Sequence, residues 1–287
     1  MSALVAPEDA SVAGASVEAP SGKDRGDENF PVGSLLLRRA LRPHVHAYYA
    51  FARNADDIAD TPGLAPAEKV ARLDRMEAVL LGREDADSPS AVRLRASLAQ
   101  TGVASRHATD LLVAFRQDAT QRRYASWDEL MGYCRFSAAP VGRYVLALHG
   151  EDPATWHASD PLCAALQVLN HLQDAKADLA ALDRCYLPQT LLDEAGVGVE
   201  DLAAPAASAG LRRVFDRLLD RVDALNALGD DLPRRVRDRR LRLEVAVICG
   251  LSRRLARRLR AGDPVAGRVG LGKADVAAAL AGASRFV

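Results

Sequence analysis

Apolar residues recur along most of this chain at intervals of three and four, the spacing of one face of an α-helix. Leu41, Val45, Tyr48, Ala52, Ala55 and Ala59 form an early stripe, and on another face of the same helix Tyr49, Arg53, Asp56 and Asp60 follow one another about a turn apart. Pro31 and Gly33 mark a helix start at Ser34. The run Thr61-Pro62-Gly63-Leu64-Ala65-Pro66 ends the acidic helix, because proline lacks an amide donor and disfavours helix in the residue before it. Helical patterns resume over 67–81 and 91–100, divided by a polar, proline-containing stretch, and again over 105–124. In that last helix Ala108, Leu111, Leu112 and Phe115 read as core, and Asp118 with Arg122 at i,i+4 reads as a structural ion pair.

The segment Tyr133 to Arg143 carries small residues, Pro140 and Gly142 in otherwise apolar surroundings, which predicts a break. Such a break either leaves room for a bulky ligand or lets two helices pack closely. Further on, Gln167, Asn170, Asp174 and Asp178 fall at i, i+3, i+7 and i+11 in a helix otherwise built of Leu, Val and Ala. If the apolar faces are buried, this polar stripe must face a cavity, a partner or a metal, because unpaired buried polar groups are costly. Two later stripes, Leu211 to Leu225 and Leu241 to Leu259, are amphipathic in the same way, and no strand pair stands out. The expected fold is all-α.

At 287 residues and 49% hydrophobic, the chain is long enough for one large helical domain, which we place at 28–287. Residues 1–27, rich in Ala, Ser, Pro and acidic side chains, read as a disordered tail without the basic and apolar regions of a signal peptide. Lys plus Arg and Asp plus Glu balance at 38 each, so bulk charge gives no footprint for nucleic acid and no general attraction to anionic lipid. Charged ligands must therefore be met locally. Cys134, Cys163, Cys185 and Cys249 are scattered with no CxxC pair, which fits packing roles in a reducing compartment. No window approaches the ~18 uninterrupted apolar residues of a membrane span. The expected location is the cytoplasm, with at most peripheral contact at the inner face of the membrane.

The acidic faces carry the candidate chemistry. Clustered carboxylates repel one another unless a cation sits among them, and hard oxygen ligands of this kind suit Mg²⁺, which bridges carboxylates to phosphate groups. A solvated acidic helix face would also contain Asp56-Asp57-Ile58-Ala59-Asp60; the second acidic stripe, far away in sequence, favours two walls of one cavity around a metal-bridged anion. His171 lies at the edge of that stripe and is expected to pack or hydrogen-bond, while His44 and His46 lack the partners of a zinc site.

The order Asn29-Phe30, Tyr49 to Arg53 with the first aspartates, Tyr133-Cys134 with Val141-Gly142, Gln167 with Asn170, and Asp174 to Asp178 resembles the squalene/phytoene synthase family over about residues 28–275. The segment Arg184-Cys185-Tyr186-Leu187-Pro188 is similar to another stretch of that family. The resemblance implies an all-α isoprenoid-synthase bundle around a central apolar cavity, with Mg²⁺ on Asp56, Asp60, Asp174 and Asp178 and Asp57 as a further ligand. It also implies a diphosphate contact from Arg53, a role for Tyr49, and substrate contacts from Asn29, Phe30, Tyr133, Val141, Gln167 and Asn170.

Within the family, Glu28 to Val32, Ser137 to Arg143 and Leu172-Gln173-Asp174 are most similar to the hopanoid branch, in which presqualene diphosphate and water give hydroxysqualene and diphosphate. Gln173 replaces an arginine common before the second motif and is expected to remove one cation from beside the diphosphate. Squalene synthase and presqualene diphosphate or phytoene synthase are the alternative activities, and a non-catalytic helical assembly factor is the alternative outside enzymes. Implied partners are the enzymes that make presqualene diphosphate and reduce hydroxysqualene. Of Arg253, Arg254, Arg257, Arg258 and Arg260, most are expected to face solvent, with one of them or Lys273 reaching the diphosphate.

Overall fold

The computed structural model describes residues 17–18, 36–85 and 87–286, and every regular element among them is helical. The helices are α1 (Arg42–Asp60), α2 (Pro66–Leu80), α3 (Pro89–Thr101), α4 (Arg106–Asp118), α5 (Trp127–Ser137) and α6 (Ala139–Leu148). They continue with α7 (Trp156–Leu182), α8 (Gln189–Ala195), α9 (Ala209–Gly229), α10 (Leu232–Arg235), α11 (Arg239–Ala261) and α12 (Lys273–Ala283). Proline stands in the first turn of α1, α2, α3, α6 and α10, where its missing N–H would be unpaired in any case. Ser34, Asn29 and Phe30 lie outside the described residues; the acidic helix begins at Arg42.

Two apolar cores hold the bundle. Phe51, Ile58, Leu73, Met76, Leu94 and Leu111 centre one core among α1 to α4, with Tyr144 of α6 stacked on Tyr48 of α1 at 3.9 Å. Leu169, Leu172, Phe215, Leu218 and Leu255 centre the other, where α7 packs on α9 and α11. Long α7 also packs on α5 and α6, leaving its polar stripe turned towards α1.

Between α5 and α6 the helix breaks at Ala138, and α6 then lies close on α7. A Cβ on Gly142 would stand 2.5 Å from Ser159 Oγ and 2.6 Å from Cys163 Sγ, so break and close packing occur together.

Two expectations are corrected. The helix over 105–124 ends at Asp118, so Arg122 is no longer one turn below it and instead donates to the carbonyl of Leu182 at 2.5 Å. Asp118 turns inward. Within the stretch read as a disordered tail, Val17 is buried in the first core and Glu18 Oε1 accepts from Ser88 Oγ, Ser90 N and Ser90 Oγ at 2.7, 2.9 and 2.6 Å. A carboxylate there engages the orphan donors and positive end of the α3 N-terminus.

The cysteines do serve packing: Cys134, Cys185 and Cys249 are buried and all four are free thiols. Burial pushes Cys134 and Cys249 up to about 12 and Cys163 up to about 11. Among the described residues, no helix is long and apolar enough to cross a membrane.

Candidate active site

A cavity of about 320 Å³ opens between α1 and α7 and is lined in part by the segment after α7. Helix α1 contributes Tyr49, Ala52, Arg53, Asp56 and Asp60; α7 contributes Gln167, Asn170, His171, Asp174, Asp178 and Leu182. Both sets follow from helical spacing, and the cavity brings together the two acidic faces that the sequence separates by more than a hundred residues. Phe115 and Asp118 reach it from α4, Tyr133 and Ser137 from α5, and Arg184 and Tyr186 from the chain beyond α7.

Those last two residues owe their place to Asp183, which caps α7 in the left-handed region (φ 52°) and turns the chain back. Arg184 then reaches across the cavity: Nη1 donates to Asp60 Oδ1 at 3.0 Å and Nη2 to the Asp118 carbonyl at 2.9 Å. The Asp118 carboxylate accepts from Tyr133 OH at 2.7 Å and Tyr186 OH at 2.9 Å. Tyr186 stacks on His171 at 3.5 Å, and Gln167 Nε2 lies 3.2 Å from His171 Nε2. Burial, and then the Arg184 charge, pull His171 down to about 3, so its ring is neutral. Burial works against the Arg184 charge as well, but Tyr186, Asp118 and Asp60 outweigh it and hold its pKa above the ordinary arginine value.

Arg53 serves the first acidic face from below, with Nη1 2.9 Å from Asp56 Oδ2 and Nη2 2.6 Å from Asp57 Oδ1. Asp57 is buried against Arg53 and does not line the cavity, so it anchors the arginine and is not placed to ligate an ion there. Val141, expected at the substrate, is 42% exposed and outside the lining, because the break turns that face of α6 to solvent.

Gln173 is corrected too. It is buried on the far side of α7, where Nε2 donates to the Val269 carbonyl at 2.6 Å, so no cation is lost from beside the acidic faces by its presence. None of Arg253, Arg254, Arg257, Arg258, Arg260 or Lys273 lines the cavity; Arg184 is the arginine that does so alongside Arg53. The lining is also more polar than the expected apolar cavity, with Ala52, Phe115 and Leu182 as its aliphatic and phenyl surface.

Sequence reasoning missed Asp118, Arg184 and Ser137 as site residues. The Arg-x-Tyr-Leu-Pro segment is the available signal for Arg184, whereas Asp118 reads in sequence as half of a structural ion pair. The buried Ser137 Oγ has no hydrogen-bond partner among the described residues, which leaves it to a ligand or water.

The carboxylates are held in mutual repulsion. Burial, then Asp60, raises Asp56 to about 8; burial, then Asp174, raises Asp178 to about 7. Burial raises Asp118 to about 6 against the pull of Arg184 and the two tyrosine hydroxyls. Oxygen donors that resist ionisation side by side suit a hard divalent cation. Among the described residues no three His, Cys, Asp or Glu side chains converge on one point.

A pH dependence follows. Carboxyls whose pKa is raised on folding support the fold while protonated, so their contribution is complete below about pH 4 and is lost as pH rises through 6 to 8. Without divalent cations the melting temperature should therefore fall between about pH 5 and about pH 8.5, and Mg²⁺ should raise it most at the higher pH. Thermal melts at both pH values check this; a Mg²⁺ effect confined to the lower pH would contradict it.

Comparison with known proteins places the chain. The pattern for squalene/phytoene synthase matches residues 23–275. A hydroxysqualene synthase from Rhodopseudomonas palustris is 48% identical over 254 residues, 88% of this chain and 87% of that protein. Another from Zymomonas mobilis is 41% identical, covering 89% and 86%. Among solved structures, squalene synthase HpnC from Alicyclobacillus acidocaldarius superposes with a TM-score of 0.71 at 33% identity, covering 80% of this chain and 87% of that one. A dehydrosqualene synthase in complex with ligand, 20% identical with a TM-score of 0.78 over 91% and 92%, shares the all-α fold.

Proposed function

Because this chain belongs to the squalene/phytoene synthase family, and its hydroxysqualene synthase relatives align over nearly the whole folded part, we propose that it is a hydroxysqualene synthase. Its reaction is the conversion of presqualene diphosphate and water to hydroxysqualene and diphosphate in squalene and hopanoid biosynthesis. One observation carries the reading furthest: two aspartate pairs, Asp56 with Asp60 and Asp174 with Asp178, face each other across one cavity that also holds two arginines.

Those four aspartates would hold Mg²⁺, with Asp118 behind them. When bound, Mg²⁺ neutralises charge on the diphosphate oxygens and makes diphosphate a better leaving group. Arg53 and Arg184 add fixed positive charge on either side of the same anion. The carbon–oxygen bond of the substrate breaks with its electron pair leaving on diphosphate, and the chain's task is then to hold the resulting carbocation. Tyr133, Tyr186 and neutral His171 line the cavity as one group of packed rings. A ring face attracts a cation, and an imidazole without charge does not repel it. Asn170 and Gln167 offer amides, and Ser137 a free hydroxyl, to orient the water that captures the cation and gives up its proton to the departed diphosphate.

Hydride capture from a nicotinamide, giving squalene, is a second reading, favoured by the name of the Alicyclobacillus neighbour. A product assay separates them. With Mg²⁺ and presqualene diphosphate in ¹⁸O-labelled water, the enzyme should release diphosphate and form a labelled C30 alcohol without nicotinamide, and excess chelator should stop it. Squalene formed only with NADPH selects the second reading, and efficient use of farnesyl diphosphate selects a first-step synthase. Unlabelled alcohol contradicts capture of water.

A further inference from the structure

The balanced total charge of the chain conceals an uneven surface. Helices α11 and α12 lie side by side, and α12 buries Asp275, Ala279 and Ala283 while its outer arc, from Val276 and Leu280 across Ala277 and Ala281, is exposed and apolar apart from Lys273 in the first turn. Val276 is 41% and Leu280 43% exposed. One flank of this arc is basic. Arg253, Arg254 and Arg257 of α11 line a groove of about 190 Å³ with Ala278 and Gly282 of α12, and Arg285 closes it. Arg285 and Phe286 also border a second hollow of about 460 Å³ whose other walls are Arg234 and Arg242.

Acidic counter-charge is sparse there. Asp230 pairs with Arg253, and Asp275 is buried against Arg258, while no ion pair is recorded for Arg254, Arg257 or Arg285 among the described residues. Burial, and then repulsion from Arg285 and Arg257, pull the Arg253 pKa below its ordinary value, as expected where cations gather without enough anions. An apolar helix face bordered by arginines matches the two layers of a bilayer surface: acyl chains under the helix, phosphates beside it. A nucleic-acid surface would leave the apolar arc in water, and an acidic protein would leave it without an apolar partner. From this juxtaposition we propose that the α11–α12 face docks the protein on a membrane surface rich in anionic phospholipid, with the α12 arc against the acyl boundary and the arginine groove on the headgroup phosphates.

Co-sedimentation of the full chain with vesicles tests this. The protein should bind vesicles of phosphatidylcholine mixed with phosphatidylglycerol, leave phosphatidylcholine alone in the supernatant, and be released by salt, which screens the attraction. Each arginine near an anionic surface contributes about fivefold to partitioning, so combining Arg254→Gln, Arg257→Gln and Arg285→Gln should weaken binding on the order of 100-fold. Leu280→Asp should weaken it with the arginines intact. These residues lie outside the cavity, so diphosphate release from soluble substrate should be unchanged in both variants, which also shows that they fold. Equal binding to neutral vesicles, wild-type binding by the triple variant, or no vesicle binding at all would overturn the proposal. Binding of inorganic phosphate to the groove with no binding to anionic vesicles would assign it to a soluble anion instead. None of these outcomes would alter the product assay, so the proposed reaction stands or falls separately.

Discussion

Asp56→Asn and Asp174→Asn should each give a protein that folds like the parent and turns over at least on the order of 10²–10³-fold more slowly. The reasoning starts from where the carboxylates sit. Each lines the cavity, and neither supports the apolar cores, so loss of charge takes a ligand from the metal-bridged diphosphate and removes little packing. Asp56 is moreover held against Asp60 at a cost, since burial and that neighbour raise it to about 8. The neutral amide removes the repulsion, so Asp56→Asn should melt no lower than the parent at about pH 8 without metal, and gain less from added Mg²⁺. Circular dichroism, melts with and without Mg²⁺, and diphosphate release together check this. A collapsed fold in both variants would assign the aspartates a structural role.

Asp118→Ala should instead unfold the protein readily, lowering stability by about 3–5 kcal/mol. Asp118 is 6% exposed and the Arg184 side chain 7%, and the carboxylate accepts from two buried tyrosine hydroxyls. Its removal leaves Tyr133 OH with the long 3.5 Å contact to Tyr186 OH, weakens the setting of Tyr186, and leaves Arg184 with the more exposed Asp60 as its carboxylate partner. Asp118→Asn keeps an acceptor but no charge, and should fall between the two. Denaturant unfolding measures the order; an alanine variant as stable as the parent would show that water replaces the carboxylate there. Activity should fall with Arg184 misplaced even where the protein is still folded, since Arg184 also fixes Asp60.

These two cases mark what the sequence reveals and what it hides. Asp56 and Asp60, Asp174 and Asp178 are legible because each pair repeats at helical spacing beside an apolar stripe of the same helix, and such a face demands a polar partner. The helix ends at Asp60 and at the α5–α6 break are legible from proline and glycine. Asp118 is not, because its spacing to Arg122 imitates a structural i,i+4 ion pair and only the end of α4 shows that Arg122 is elsewhere. Gln173 and Val141 illustrate a second limit. Adjacency to a motif places a residue about 100° around the helix from it, so neighbours in sequence can face opposite surroundings. Which side of α7 meets Val269 depends on where the chain returns after α11, and no local pattern records that.

The four thiols have a bearing beyond packing. A thiol reacts with oxidants and electrophiles as its thiolate, and with Cys134 and Cys249 near 12, Cys163 near 11 and Cys185 also raised, almost none is ionised at neutral pH. None belongs to the lining of the acidic cavity. With the four thiols held protonated and none at the cavity, diphosphate release should survive treatment with a thiol-alkylating reagent.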